Sequence, residues 1–308
     1  MCFSGKIKGY AAAVVSAVTF GLNPFFGKQL YEIQVDTLSV LFYRFFFAAL
    51  MLGIFMLITH KPFGISRREL PLAAVGGVLL ALTCLAWFCS FKVMDSGIGA
   101  TIMFVSPVMV ALIMVFGFHE KLTRNVVFSI ILALSGVCVL CRPGEGAVVN
   151  LPGVLWVLLS AFVYAVYIVM IRVTRLRNML PETLTFYTMG ISALTFLCVM
   201  RMGADLFILS DLKSWGNALG LAFFPSLLSF LLVAVSVRYI GPTRTAILGA
   251  LEPVTAVIIG IFFFSEAFTW GLLAGIVLIL SAVGVIIFGE TSGTGQRESE
   301  NTTKTLSK

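Results

Sequence analysis

Two charges stand deep inside apolar segments of this chain: Arg44, about seven residues into Thr37–Thr59, and Glu252, about seven into Thr245–Phe264. In helices that rise about 1.5 Å per residue, each lies roughly 10 Å from the end of its segment. A charge at the centre of a membrane helix costs about 2.5–3.5 kcal/mol, so it faces a partner or a cavity. The chemistry on offer is recognition of an opposite charge and, at Glu252, acceptance of a proton. The competing reading is that the two residues pair with each other, or bond backbone carbonyls, and simply hold helices together.

Prolines and aromatic residues surround these charges in the sequence. Pro107 and Pro253 each remove a helix hydrogen bond and release a carbonyl one turn earlier, near Met103 and Gly249. Such carbonyls bind substrate or let a helix bend as a hinge; a static kink is the alternative. Asn23-Pro24 makes a similar interruption, with Pro24 a third hinge and Asn23 able to bond either a ligand or another helix. Tyr43, Trp87, Tyr164, Tyr167 and Tyr187 all lie within apolar segments, and Tyr164 and Tyr167 share a helical face. For each, interior packing competes with substrate contact. The expected cavity residues are Arg44, Glu252, Asn23, Ser106, Trp87, Tyr164 and Tyr167; the expected hinges are Pro24, Pro107 and Pro253.

The elements that must position these residues are membrane helices. The 308 residues are 59% hydrophobic and 11% charged, with a mean hydropathy of +1.05. A soluble domain carries about twice that charged share to cover its surface. About 20 apolar residues cross a bilayer as a helix. Ten segments qualify: Gly9–Gln29, Thr37–Thr59, Leu70–Phe91, Gly97–Phe116, Leu122–Cys141, Leu151–Ile171, Pro181–Met200, Asn217–Val237, Thr245–Phe264 and Thr269–Phe288. The first follows Lys6 and Lys8 but is too long for a signal-peptide core, so it is expected to remain as a helix. The net charge of +7 comes from residues placed between the spans. Membrane topology explains it, and no nucleic-acid partner is implied.

Orientation follows from those charges. With the N-terminus inside, the inner segments hold fifteen Lys and Arg residues and the outer ones five: Lys28, Lys92, Arg142, Arg201 and Lys213. The positive-inside rule then places both termini in the cytoplasm. Most loops are too short for a soluble catalytic domain. In the longest outer one, Arg201–Gly216, the run Leu206-Phe207-Ile208-Leu209 and Trp215 suggest a short interfacial helix. The polar tail from Glu290 to Lys308 is expected to be disordered. Gly271 and Gly275 form a G-x-x-x-G, and Ser129 and Ala133 a small pair of the same spacing, both suited to close helix contact.

The chain also repeats itself. A shift of 146 residues (253 − 107) sets Pro107 on Pro253, Glu120 on Glu266, Thr123 on Thr269 and Ser135 on Ser281. A shift of 144 (153 − 9) sets Gly9 on Gly153, Ser16-Ala17 on Ser160-Ala161 and Phe42-Tyr43 on Phe186-Tyr187. Five spans in each half, an odd number, require the second copy to be upside down. The expected fold is therefore all-α and integral to the membrane, ten helices in two inverted five-helix repeats (1–145 and 146–289) with a tail at 290–308. Under the same shifts Arg44 falls on Thr188 and Glu252 on Ser106, so neither charge is needed merely to build a repeat. Glu120 and Glu266 recur at span ends, where they cap the next helix or form gates; symmetry favours a structural role.

Other chemistries find no support. Cys138-x-x-Cys141 sits in a run of small residues and reads as helix packing. His60 and His119 are too few and too far apart for a zinc site. No H-E-x-x-H, G-x-S-x-G, Walker motif or paired intramembrane aspartates occur. An enzyme is not expected, and neither a cofactor nor a bound metal is called for.

Leu251-Glu252-Pro253-Val254, then Ser265-Glu266-Ala267-Phe268-Thr269, Gly271 and the small residues of Ser281–Gly284 resemble the drug/metabolite transporter superfamily, specifically its EamA-type ten-helix members. The first copy carries Ser106-Pro107-Val108 and His119-Glu120-Lys121-Leu122-Thr123. Ser265 stands where the family pattern has Gly. The resemblance covers about 280 residues and implies inverted repeats around a central cavity that carry small metabolites across the cytoplasmic membrane. A cavity with one cation, one anion and several aromatics suits export of amino acids or related zwitterions. The alternatives within the fold are an organic phosphate or nucleotide-sugar exchanger and a multidrug exporter. Phosphates call for several cations at membrane depth, and these spans offer only Arg44. The partners implied are a small-molecule substrate and the lipid bilayer, with no obligate protein partner.

Overall fold

The computed structural model of the chain describes residues 2–90, 93, 102–140, 150–264, 270–271 and 273–287. These residues are helical with connecting turns, and no strand occurs among them. Lipid offers no partner to a backbone N–H or C=O, so apolar segments satisfy theirs within helices. In order these are α1 (Cys2–Phe20), α2 (Asn23–Glu32), α3 (Thr37–Ile58), α4 (Leu70–Ser90), α5 (Ser106–Phe118), α6 (Arg124–Leu140), α7 (Leu151–Val173), α8 (Pro181–Val199), α9 (Leu212–Ala222), α10 (Ser229–Ile240), α11 (Pro242–Leu248), α12 (Leu251–Phe264) and α13 (Leu273–Ile287). Among the described residues six stretches are long and apolar enough to cross a membrane: Gly5–Gly27, Thr37–Ile58, Leu70–Ser90, Leu151–Val173, Pro181–Val199 and Leu212–Ile240. Shorter apolar helices cover the described parts of the remaining expected spans. The starts of the fourth and tenth, the end of the fifth, Glu266 and the polar tail lie outside the described residues.

Local signals fix the ends. Asp36 caps α3 by accepting from the Ser39 N–H at 3.0 Å. Asp211 caps α9, accepting from the Ser214 N–H at 2.9 Å and its hydroxyl at 2.6 Å. The Ser214 hydroxyl, then its amide, hold the Asp211 carboxyl below the usual carboxylate range. That cap starts the eighth span at Leu212, five residues (217 − 212) before the expected Asn217. Within Arg201–Gly216, where a short interfacial helix was expected, residues 206–211 are not helical. Instead Leu209 is buried, the Phe207 N–H donates to Ser39 Oγ at 2.9 Å, and Trp215 Nε1 donates to the Leu209 carbonyl at 3.2 Å. Bonds to α3 and α9 satisfy this backbone better than a helical turn lying in the interface.

The packing joins early helices to late ones. α4 lies on α7, α10 on α1, and α3 on α8. The largest cluster sits between α3, α4, α7, α8 and α10, with Phe45, Leu52, Leu80, Ile168 and Phe196 at its centre. In lipid such contacts stabilise through close packing, since tails are as apolar as leucine. Small residues make that possible. A Cβ on Gly136 of α6 would lie 2.9 Å from the Gly275 carbonyl of α13, so these helices touch backbone to backbone where the G-x-x-x-G was expected to act.

Hydrogen bonds recur with the repeat. Ser16 Oγ donates to the Ser229 carbonyl at 2.9 Å, and Ser160 Oγ to the Thr83 carbonyl at 2.8 Å. The hydroxyl of Tyr43 donates to the Phe207 carbonyl at 2.8 Å, and that of Tyr187 to the Phe63 carbonyl at 2.9 Å. Each second bond is the first moved by the repeat: 160 − 16, 187 − 43 and 207 − 63 are all 144, and 229 − 83 is 146.

Candidate functional site

Two broken helices meet where the site forms. The first span stops at Phe20 and resumes at Asn23, the interruption expected from Asn23-Pro24. At the break, a Cβ on Gly21 would fall 2.7 Å from the Glu252 carbonyl and 2.6 Å from Thr255 Cβ, so only glycine lets α1 end against the first turn of α12. The ninth expected span is also interrupted: α11 ends at Leu248, Gly249 and Ala250 turn, and α12 begins at Leu251. Pro253 therefore stands in the first turn of a helix, where a missing N–H costs nothing. Pro107 holds the same place in α5, behind a turn at Phe104 and Val105. This corrects the expectation of mid-helix prolines with freed carbonyls. The Gly249 carbonyl accepts from the N–H of Glu252 at 2.9 Å, because the break lets a tighter turn use it.

Glu252 emerges from this first turn half-buried, with no hydrogen-bond or ion-pair partner among the described residues. It is not paired with Arg44, although Arg44 and Tyr164 both lie within electrostatic range of it.

Arg44 is bound elsewhere, and it is 2% exposed. Its Nε donates to Ser226 Oγ at 2.6 Å and its Nη2 to the Pro225 carbonyl at 3.1 Å. The guanidinium lies 5.4 Å from the Phe20 ring centre and 5.6 Å from that of Phe45. Its partners belong to a π-helical segment, Phe223–Leu228, within the eighth span. Pro225 has no N–H to give, and the Ser226 hydroxyl donates to the Leu221 carbonyl at 2.8 Å in its stead. The Ser229 N–H reaches back to Phe224, leaving the Pro225 carbonyl for Arg44. Pro225 and Ser226 were not among the expected site residues; the proline inside an apolar span was the signal that could have found them.

Tyr164 and Tyr167 do share a face, their ring centres 6.5 Å apart. Tyr167 is 2% exposed with its hydroxyl against Thr188, the repeat counterpart of Arg44. Phe20, which was not expected either, is the counterpart of Tyr164 (164 − 144). Tyr164 is half-buried and its hydroxyl has no hydrogen-bond partner among the described residues; the Asn23 amide and the buried Ser106 hydroxyl share that condition. By contrast the hydroxyls of Ser16, Tyr43, Ser160, Tyr187 and Ser192 are all bonded within the protein. Trp87 stands apart, in a small cluster with Ile102, Met103, Val154 and Val157. The Pro24 side chain lies outside the described residues. Glu120 is exposed and caps no helix; Thr123 Oγ1 does so for α6, accepting from the Val126 N–H at 3.4 Å.

A helical, multi-pass membrane protein whose spans break beside an unbonded carboxyl defines a class: membrane transporters. The comparisons with known proteins agree. The chain belongs to the EamA-like transporter family, whose model matches residues 7–142 and again 151–288. It is 28% identical over 275 residues to an uncharacterized transporter of Archaeoglobus fulgidus, covering 89% of this chain and 94% of that protein. It is 25% identical over 257 residues to the uncharacterized transporter YxxF of Bacillus subtilis, covering 81% and 80%. The pseudopaline exporter CntI of Pseudomonas aeruginosa is 24% identical over 213 residues, covering 69% and 72%. A crystal structure 16% identical in sequence shares the fold with a TM-score of 0.78, covering 92% of this chain and 96% of the other.

Proposed function

We propose that this protein is a secondary carrier that exports amino acids or related zwitterions across the cytoplasmic membrane by alternating access. The observation that carries the reading is Glu252, a carboxylate within a broken span that has no hydrogen-bond or ion-pair partner among the described residues. A transporter fold spends stability on such a group for the molecule it carries. Two inverted five-helix repeats, 1–145 and 146–289, are supported by the hydrogen bonds that recur at shifts of 144 and 146. The reciprocal packing of α4 on α7 and α10 on α1 supports the same reading. The surplus of Lys and Arg on alternate loops supports cytoplasmic termini. A relative named as an exporter supports the direction.

The test is flux in proteoliposomes against an amino-acid panel, with and without a pH gradient. Saturable counterflow of at least one amino acid is the expected result. Failure of every substrate, in protein shown to be folded, sinks the reading.

A further inference from the structure

Resting on the carrier reading, we propose that Glu252 is the binding site for a positively charged amine, so that the carried molecule is recognised by its ammonium group and needs no carboxylate. The substrate class is an organic amine with an apolar body. Amino acids belong to it only through their amino end.

The two charges of the site are in unlike states. Arg44, the cation that would receive a carboxylate, is 2% exposed. It bonds Ser226 and the Pro225 carbonyl and lies over the rings of Phe20 and Phe45. Releasing it for a ligand would strand the Pro225 carbonyl in a medium without water and take from Ser226 the bond that its oxygen accepts. Glu252 bears no such obligation. It is half-buried and has no partner among the described residues, and a carboxylate at that depth is costly until a cation neutralises it. An ammonium group supplies the cation and three N–H donors. Tyr164 lies within electrostatic range of Glu252 and leaves its hydroxyl oxygen open, with a π face for the cation. Asn23 opens α2 two residues after Gly21 (23 − 21), which touches the backbone of Glu252, and its side-chain amide is also unclaimed.

The experiment uses the full chain in nanodiscs and three probes on each of two bodies, leucine and phenylalanine. These are the free amino acid, its amide (ammonium without carboxylate) and its N-acetyl derivative (carboxylate without ammonium). Calorimetry should show the amide of at least one body binding and neither N-acetyl derivative doing so. Glu252→Gln should weaken amide binding about thirtyfold or more. Tyr164→Phe, which removes one acceptor without touching the charge, gives a second and smaller loss if Glu252→Gln does not fold. The proposal is overturned if an N-acetyl derivative binds and its amide does not, if no amide binds, or if Glu252→Gln folds and binds amides as well as the parent. Flux of an anionic or neutral substrate alongside any of these results would overturn the amine site while leaving the carrier reading intact. Absence of all flux would remove the carrier reading itself.

Discussion

At the scale of single residues, depth in the membrane and availability for chemistry turn out to be separate properties. Arg44 and Glu252 look alike in the sequence, one charge in each of two apolar runs. In the fold Arg44 fastens the π segment, and Glu252 is left open. Arg44→Thr, which installs the residue of its own duplicate, should therefore act first on stability. Bonds from a charged donor to buried groups are worth about 1.5–3 kcal/mol, so a lowered thermal midpoint is expected in detergent-purified protein. Arg44→Lys should rescue little of it, because an ammonium is a point donor and cannot reproduce the two-atom fork. A parent-like melt for Arg44→Thr would show that the bonds to Ser226 and Pro225 carry no weight. The sequence could place both charges at depth but could not say which was engaged, since Ser226 and Pro225 lie 182 and 181 residues from Arg44.

At the scale of elements, apolar length made most spans legible and concealed their breaks. A run such as Thr245–Phe264 reads as one helix, yet it is divided at Gly249-Ala250, because Pro253 is better accommodated in a first turn than in mid-helix. Gly21 holds the matching contact. Gly21→Ala would press a methyl against the Glu252 carbonyl and the Thr255 side chain, a clash that no rotamer of alanine can relieve. Overpacking of this kind costs about 1–3 kcal/mol. The expected outcome is a lower melting midpoint together with weakened ligand binding, since α12 carries Glu252 on the turn that must move. A variant that melts lower but binds normally would separate the contact from the site. Asp211 at the head of α9 offers a pH-dependent counterpart. Its carboxyl is held low by Ser214, so its stabilisation is present above the unfolded carboxylate range and is lost as pH falls through the depressed folded value. Asp211→Ala should lower the midpoint at neutral pH and flatten the acid limb of a melting-versus-pH curve. An unchanged acid limb would rule the cap out as its source. The cap is local, within Asp211-Leu212-Lys213-Ser214, but the apolar run before it invited the wrong element, because the α3 side chains that bond its backbone, Ser39 and Tyr43, lie 168 and 164 residues from Phe207.

At the scale of the whole molecule, the repeat acts by exchange between halves. Ser16 of the first half bonds Ser229 of the second, and Ser160 of the second bonds Thr83 of the first. Each half thus satisfies some of the other's buried polar groups, which ties the folding of one to that of the other. The Tyr43–Phe207 and Tyr187–Phe63 bonds make the same exchange and also predict topology. If the copies are inverted, the loops receiving those tyrosines open on opposite faces of the membrane. Single cysteines test this in a background without native ones, at Ile208, which is 78% exposed, and at the exposed Arg68. In intact cells a membrane-impermeant thiol reagent should label the cysteine at 208 and spare the one at 68; in inside-out vesicles the pattern should reverse. Labelling of both positions from one face would mean that the copies run parallel. The mated hydrogen bonds would then need another explanation, because a parallel copy would bring Phe63 and Phe207 to the same side.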